Sequence, residues 1–274
     1  MTLFAIPFPV LDPVAFEIGP LTVRWYGLAY MFGLLGGWLY ARSLLANKGL
    51  WNGKPPAPPA IADDLLLWTT FGVVLGGRLG YVLFYDPRFF LANPGEIIAV
   101  WNGGMSFHGG LAGVCLAVWL FSRAKKIPML SLADVACAVA PIGLFFGRLA
   151  NFVNGELFGR VSDVPWAMIF PEGGPLPRHP SQLYEATLEG LLLFLALRYL
   201  THGKKVLPFP GYVSGAFFAG YGIARSVAEF FRLPDPEHAL TFGFLTPGIV
   251  YSLPMIAIGV LVIWRARSKG RAAA

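Results

Sequence analysis

The sequence predicts an all-α integral membrane protein with about seven transmembrane helices. Hydrophobic residues make up 56% of its 274 residues and charged residues only 13%, whereas about a quarter of an ordinary soluble domain is charged. The lysines fall in four groups between apolar runs instead of along the whole chain. This distribution of the formal charge of +6 indicates a membrane topology and not nucleic-acid binding.

Seven apolar runs are long enough, or nearly so, to cross a hydrocarbon layer, which takes about 20 helical residues. They lie at 22–41, 61–84, 106–121, 131–153, 185–200, 211–231 and 247–264, and the third and fifth are short for a span. The connections carry Pro, Gly and Asn, and none is long or polar enough for a separate soluble domain. We therefore expect one polytopic membrane domain over 1–274, with small loops forming a head on the outer face.

The basic residues predict the orientation of the chain. Lysine occurs only after the first, third, fifth and seventh runs, and these places share one side if there are seven spans. By the positive-inside rule that side is cytoplasmic, so the N-terminus is expected outside and the C-terminus inside. Arg148 then lies roughly 26 Å, and Arg225 roughly 21 Å, from the inner ends of their spans. The stretch before the first run has neither a basic segment nor a small-residue cleavage pattern, so no removable signal peptide is expected.

Polar residues between Gly147 and Gly159 stand where lipid-facing sequence would be expected. A guanidinium such as that of Arg148 costs at least ~2.5–3.5 kcal/mol at the centre of a bilayer, so it must be paired, hydrated or used. Asn151 shares its helix face, and a helix break near Asn154 and Glu156 would be tolerated where the backbone is buried in protein or lines a wet cavity. In a purely structural interpretation, the two amides cap the helix and Glu156 neutralises Arg148.

The sixth span carries a second polar stripe. Its residues are spaced by four, four and three, which places them on one helix face: Tyr221, Arg225, Glu229 and Arg232. An internal ion network is an equally good explanation for Glu229 with Arg232. The structural interpretation of the 147–159 run leaves Arg225, and Arg78 on the second span, without partners. A surplus of buried arginines over buried acids predicts an anionic ligand, and guanidinium forks suit phosphate.

His108 begins the third span and is expected at the same depth as these arginines, where it could accept a proton near neutral pH. The alternative is a structural role, because a lone histidine at a membrane interface is more often simply hydrogen-bonded to its neighbours. The other histidines are assigned to loops or an outer turn: His179, His202 and His238. No metal-ligand spacing and no hydrolase elbow occur, so neither a metal nor another cofactor is expected. Cys115 and Cys137 lie in apolar runs, and no disulfide framework is expected.

Two further patterns have structural explanations. Small residues recur every four positions, and this spacing predicts close helix packing in lipid. The glycines concerned are Gly33 and Gly37; Gly72, Gly76 and Gly80; Gly109 and Gly113; and Gly143 and Gly147. Asp63 and Asp64 begin the second span and are expected to cap its N-terminus.

With these residues identified, the chain resembles the bacterial prolipoprotein diacylglyceryl transferase family over nearly its whole length. The 147–159 run matches the long signature G-R-x-A-N-F-x-N-x-E-x-x-G. Further blocks resemble family motifs: 24–27 (R-W-Y-G), 77–81 (G-R-L-G-Y), 108–113 (H-G-G-L-A-G), 179–185 (H-P-S-Q-L-Y-E) and Arg225, Glu229, Arg232, Pro234 and Asp235. In the seventh span the family tends to read L-T-M-G-Q, whereas this chain has Ile249 in place of the glutamine, so no site role is expected there.

The resemblance implies transfer of the diacylglyceryl group of phosphatidylglycerol to the lipobox cysteine thiol of a preprolipoprotein. The products are a thioether and glycerol 1-phosphate, and the enzyme works in the bacterial inner membrane with its site toward the periplasmic leaflet. By resemblance and depth, Arg148 and Arg225 bind the phosphate and stabilise the leaving group, with His108 as candidate base. Positioning roles fall to Tyr26, Asn151 and Glu156. The wider lipid-binding set is Arg148, Arg225, Arg78, Asn154, Glu229, Arg232 and Tyr221.

An anion or lipid transporter is the alternative, because intramembrane arginines and broken helices occur there too. A transporter predicts polar residues through the cytoplasmic half and an inverted repeat, and the sequence shows neither. The one-sided distribution of polar residues favours an enzyme that takes lipid from the outer leaflet.

Overall fold

The computed structural model describes residues 6–9, 12–233 and 245–272. Its α-helices are α1 Trp25–Ala46, α2 Ile61–Phe84, α3 Pro87–Ala92, α4 Phe107–Lys125, α5 Met129–Val153, α6 Ser181–Glu185, α7 Leu193–Arg198, α8 Tyr212–Glu229 and α9 Pro247–Ala272. The π-helical segment Ala186–Leu192 joins α6 to α7, and a second one, Tyr199–Gly203, extends α7, which gives one continuous helix, the 181–203 helix. His238 and the Pro234–Asp235 pair lie outside the described residues.

Helices cover the core of each of the seven predicted spans. Four of those in the described residues are long and apolar enough to cross a membrane: α2, α4, α5 and the Pro247–Lys269 part of α9. The two spans that looked short are longer in the structure, because α4 continues to Lys125 and the fifth span lies within the 181–203 helix. The helical, membrane-protein class is thereby supported, whereas the seven crossings and their orientation stay predictions.

Short strands lie outside the long helices. Strand β2 Val14–Ile18 pairs antiparallel with β3 Leu21–Arg24, and β1 Ile6–Pro7 pairs parallel with β4 Met168–Ile169. Gly19, in the turn between β2 and β3, has a φ of +59°, a left-handed conformation that glycine adopts without a Cβ clash. The β1–β4 pair ties the N-terminal stretch to the segment after α5.

The chain forms two compact units, and Ala41–Ala133 is the second. Within it, α2 and α4 approach so closely that a Cβ at Gly72 would lie 2.6 Å from the carbonyl oxygen of Gly113, and one at Gly80 only 2.7 Å from the Cα of Gly109. In lipid such contact is driven by van der Waals packing and not by hydrophobic exclusion. The packing role predicted for these glycines is confirmed.

Asp63 and Asp64 do not cap α2, so that prediction is wrong. The N-cap residue is Ala60, and no side chain caps the helix. Both carboxylates lie in the first turn and instead form ion pairs with basic side chains, Asp63 with Arg42 at 3.0 Å and Asp64 with Lys125 at 2.7 Å. These pairs are more than one-third exposed, so each adds little to stability.

The first unit, Met1–Tyr40 with Asp134–Ala274, contains the polar residues of the fourth, fifth and sixth spans. Its helices also meet at glycines: a Cβ at Gly190 would lie 2.7 Å from the Cα of Phe145 on α5, and one at Gly215 on α8 2.7 Å from the carbonyl oxygen of Gly259 on α9. Contact at Gly190 sets neighbouring Glu189 beside α5, one turn from Arg148.

A buried carboxylate from α5 caps α8. Asp134 is fully buried and accepts hydrogen bonds from the backbone N–H groups of Gly211 and Ser214, and from the Ser214 hydroxyl, each at 2.7 Å. The first N–H groups of a helix have no partner within it, and a carboxylate there also favours the helix dipole. Asp134 thus holds the start of the helix that carries Tyr221, Arg225 and Glu229.

Candidate active site

The signature segment turns back on itself just after α5. The helix ends at Val153, and Gly155 follows with a φ of +69°. The amide of Asn151 donates to Glu156 Oε1 at 2.7 Å, and that of Asn154 to the same oxygen at 3.3 Å. The predicted helix break is therefore present, and the two asparagines hold the Glu156 carboxylate against the helix end.

Arg148 is paired with the 181–203 helix and not with Glu156. Its Nε lies 2.7 Å from Glu185 Oε2, and its Nη2 lies 3.5 Å from Glu189 Oε2. The structural interpretation in which Glu156 neutralises Arg148 is wrong, because the Glu156 carboxylate is held by Asn151 and Asn154 instead.

Arg225 and Arg232 reach the same carboxylates from α8 and the residues just after it. Arg225 Nη1 lies 3.3 Å from Glu185 Oε1 and 3.8 Å from Glu189 Oε1, while its Nη2 lies 2.7 Å from Glu229 Oε2. Arg232 Nη1 lies 2.7 Å from Glu185 Oε1, and its Nε 3.9 Å from Glu229 Oε2. Glu185 therefore contacts three guanidiniums.

We call this group the arginine–glutamate cluster; its members are Arg148, Arg225, Arg232, Glu185, Glu189 and Glu229. The prediction that arginines outnumber acids here, with Arg225 unpartnered, is wrong: three guanidiniums face three carboxylates. Sequence reasoning missed Glu189 and gave Glu185 no site role. Two acids four residues apart in an apolar helix were the available signal, since each needs a buried cation.

The cluster is layered. The guanidinium side chains are 16–20% exposed, whereas the carboxylate side chains are 0–6% exposed. A neutral cluster can thus still present N–H donors outward, because its negative groups lie beneath its positive ones.

The loop after Gly155 docks onto the start of the 181–203 helix. The Gln182 amide donates to the backbone carbonyl of Glu156 at 2.6 Å, and the Ser181 hydroxyl to that of Leu157 at 3.0 Å. His179 Nδ1 lies 3.1 Å from the Tyr184 hydroxyl. Burial lowers the pKa of His179, which favours its neutral ring.

Two other predicted site residues lie near these groups. Tyr221, on the cluster face of α8, interacts electrostatically with Glu189, Arg225 and Arg148. Tyr26 is the second residue of α1, and its hydroxyl lies 3.1 Å from that of Tyr30. It also interacts electrostatically with Glu156.

The remaining two belong to the second unit. Arg78 is 6% exposed and donates to the backbone carbonyls of the 96–104 loop, at 2.9 Å to Ile97 and 3.1 Å to Gly104, with further bonds to Glu96 and Gly103. The prediction that Arg78 lacks partners is wrong, because backbone oxygens satisfy it. His108 is exposed as the second residue of α4, whose N-cap Ser106 accepts from Gly109 N–H at 3.2 Å.

Comparison with known proteins places this site in a family. A model of the prolipoprotein diacylglyceryl transferase family matches residues 13–265. This chain belongs to the prolipoprotein diacylglyceryl transferase family. A relative from Rhizobium meliloti is 56% identical over 98% of the chain and 96% of its own length, and one from Rhodopseudomonas palustris is 54% identical over 100% and 96%. A third, from Brucella canis, is 54% identical over 96% and 94%. All three bear the name phosphatidylglycerol–prolipoprotein diacylglyceryl transferase.

Proposed function

We propose that this chain transfers the diacylglyceryl group of phosphatidylglycerol to the lipobox cysteine of preprolipoproteins. The observation that carries the proposal is its similarity, over 98% of the chain, to a relative named for that reaction. The sulfur–carbon bond of a thioether forms, the carbon–oxygen bond to phosphate breaks, and glycerol 1-phosphate leaves. Both substrates are amphipathic, which fits a membrane protein.

The arginine–glutamate cluster suits the leaving group. Phosphate gains negative charge as the carbon–oxygen bond breaks, and donors fixed beforehand stabilise that charge most effectively. Arg148 and Arg225 are the proposed phosphate ligands, because their side chains are 19% and 16% exposed whereas the Glu189 and Glu185 carboxylates that they contact are 0% and 1% exposed. Arg232, Glu229 and Tyr221 complete the lipid site. Arg78 is left out, since its guanidinium is bonded to backbone oxygens.

The thiol must lose its proton, because the thiolate is the nucleophile. His108 is the proposed base that accepts it. Tyr26, Asn151 and Glu156 are proposed to position the substrates, and the bonds from Asn151 and Asn154 support this by fixing the Glu156 carboxylate. The sulfur comes from the substrate, so neither Cys115 nor Cys137 has a part in the reaction.

We further propose that the chain crosses the inner membrane seven times, with the N-terminus outside, the C-terminus in the cytoplasm, and the site toward the outer leaflet. The grouping of lysines supports this orientation. The signal-peptide end of a preprolipoprotein would then meet the site from the periplasmic side of the bilayer.

The decisive experiment uses purified protein in phosphatidylglycerol vesicles with a synthetic lipobox peptide. We expect a peptide heavier by one diacylglyceryl group, detected by mass spectrometry, together with released glycerol phosphate. A peptide with serine in place of cysteine should gain nothing. Absence of the thioether from the cysteine peptide, in protein shown to be folded, contradicts the proposal.

A further inference from the structure

Gln182 is a buried amide on the 181–203 helix, three residues before Glu185 of the arginine–glutamate cluster. Its side chain is part of a residue only 1% exposed, and its Nε2 donates to the Glu156 carbonyl at 2.6 Å. That bond fixes which way the amide points, because only its NH₂ group can donate to a carbonyl. Its oxygen must therefore point elsewhere.

The other end of this amide has no partner. Gln182 Oε1 is buried, and no donor in the described part of the chain reaches it. A buried acceptor without a hydrogen bond is destabilising, and native proteins rarely retain one unless it has a use. Gln182 precedes Glu185 by three residues on the same helix, so the two side chains share a face. The residue with the unmatched oxygen thus belongs to the helix face that carries Glu185 of the cluster.

The chemistry around it specifies a ligand. Guanidiniums can only donate hydrogen bonds, so they match the acceptor oxygens of a phosphate. The amide oxygen can only accept, so it needs a hydroxyl or N–H group from the same ligand. The phosphatidylglycerol headgroup carries a phosphate and two free hydroxyls. A headgroup that ends in a quaternary ammonium has no such donor.

We propose that Gln182 accepts a hydrogen bond from a headgroup hydroxyl and thereby selects glycerol over other headgroups. This inference rests on the proposed function and adds a specificity-determining residue to it. Glu156 is linked to the same selection, because its backbone carbonyl holds the amide in the accepting orientation.

The test compares phosphatidylglycerol with two analogues, each lacking one of the terminal hydroxyls. For the wild-type protein we expect kcat/KM to fall by about 10- to 100-fold for at least one analogue, the range for a buried acceptor that loses its donor. Gln182→Met keeps the size but has no amide oxygen. It should transfer more slowly from phosphatidylglycerol and discriminate little between that lipid and the analogue.

Ser181→Ala is the matched control, since Ser181 also ties the helix to the signature loop but ends in a bonded hydroxyl. It should slow both lipids in equal proportion. Equal wild-type rates with all three lipids, or undiminished discrimination by a folded Gln182→Met variant, overturn the inference while leaving the transfer reaction intact. If Gln182→Met does not fold, the wild-type comparison alone still decides. Failure of the wild-type protein to transfer from phosphatidylglycerol at all overturns the proposed function instead.

Discussion

Glu185 is the residue on which the candidate site depends most. One carboxylate lies within 3.3 Å of guanidinium nitrogens of Arg148, Arg225 and Arg232, which come from α5, α8 and the segment after α8. Removing one partner of a buried ion pair is much more costly than the net value of the pair, because the remaining charge stays buried. The glutamate is therefore expected to matter for folding as well as for geometry.

Glu185→Gln should lower the unfolding free energy by about 3–5 kcal/mol, the usual effect of breaking a buried pair. Thermal unfolding in detergent measures this, alongside transfer activity. Glu172→Gln, at an exposed residue of the same unit, is the control and should unfold at the wild-type temperature. Equal melting temperatures for both variants would show that the cluster contributes no stability.

Arg148→Lys should reduce kcat/KM by at least ~10-fold, because a single ammonium cannot replace a guanidinium that bonds in several directions. Arg148 contacts Glu185 through Nε and Glu189 through Nη2, and it is also a proposed phosphate ligand. Arg148→Ala and Arg225→Ala should abolish transfer in protein that still inserts in the membrane. Arg198→Lys, at an exposed position of the 181–203 helix, should be as active as wild type; retained transfer in both alanine variants contradicts the phosphate roles.

His108→Gln should slow transfer at least ~100-fold, the lower range for loss of a general base. Raising the pH should restore much of the rate, because the substrate thiol then ionises without help. The pH–rate profiles of the two proteins provide the measurement, with His202→Gln as control. A variant with an unchanged rate at neutral pH removes His108 from the mechanism.

At the scale of elements, the 181–203 helix brings the acids to the arginines. Its π-helical segment contains Glu189 and Gly190, and π-helical turns often occur at functional sites. The close contact between Gly190 and Phe145 sets how near this helix lies to α5. We therefore expect Gly190 to affect the site by setting the spacing between these helices and not by contact with substrate.

Gly190→Ala should impair both stability and transfer. The new Cβ would lie 2.7 Å from the Phe145 Cα, so the helices must separate, and overpacking of this kind costs about 1–3 kcal/mol. Glu189 would then move from Arg148. Gly143→Ala, one turn before the Arg148 turn, is the control, since its Cβ meets no atom within 4 Å. A Gly190→Ala protein with normal activity and melting temperature would refute the role of this contact.

The helices were predictable, but most of their partners were not. Apolar runs specify helices in lipid because only internal hydrogen bonding satisfies the backbone there, and four-residue glycine spacing correctly marked the contact between α2 and α4. The pairing of Arg148 with Glu185 joins residues far apart in sequence, so no local pattern reveals it. Arg78 shows a second limit, since its partners are backbone carbonyls, which every residue has.

At the scale of the whole molecule, lysines occur only after alternate apolar runs, and this grouping predicts which loops face the cytoplasm. Reporter fusions test the orientation. A periplasmic phosphatase joined after Lys125 or Lys204 should be inactive, and one joined after Glu172 should be active, because the proposed orientation keeps the basic loops in the cytoplasm. A fluorescent protein, which matures in the cytoplasm, should give the opposite pattern. Phosphatase activity at the basic junctions would reverse the proposed topology.

The pairing of three arginines with three glutamates also constrains biogenesis. In the proposed topology, a newly made 181–203 helix carries Glu185 and Glu189 into the bilayer, where isolated charges are poorly tolerated, and Arg225 and Arg232 are synthesised only later. The translocon must therefore retain this helix, or let it pair provisionally with Arg148, until α8 emerges. Chains truncated before residue 212 should be released as substrates for membrane quality-control proteases, whereas chains that extend past Arg232 should accumulate.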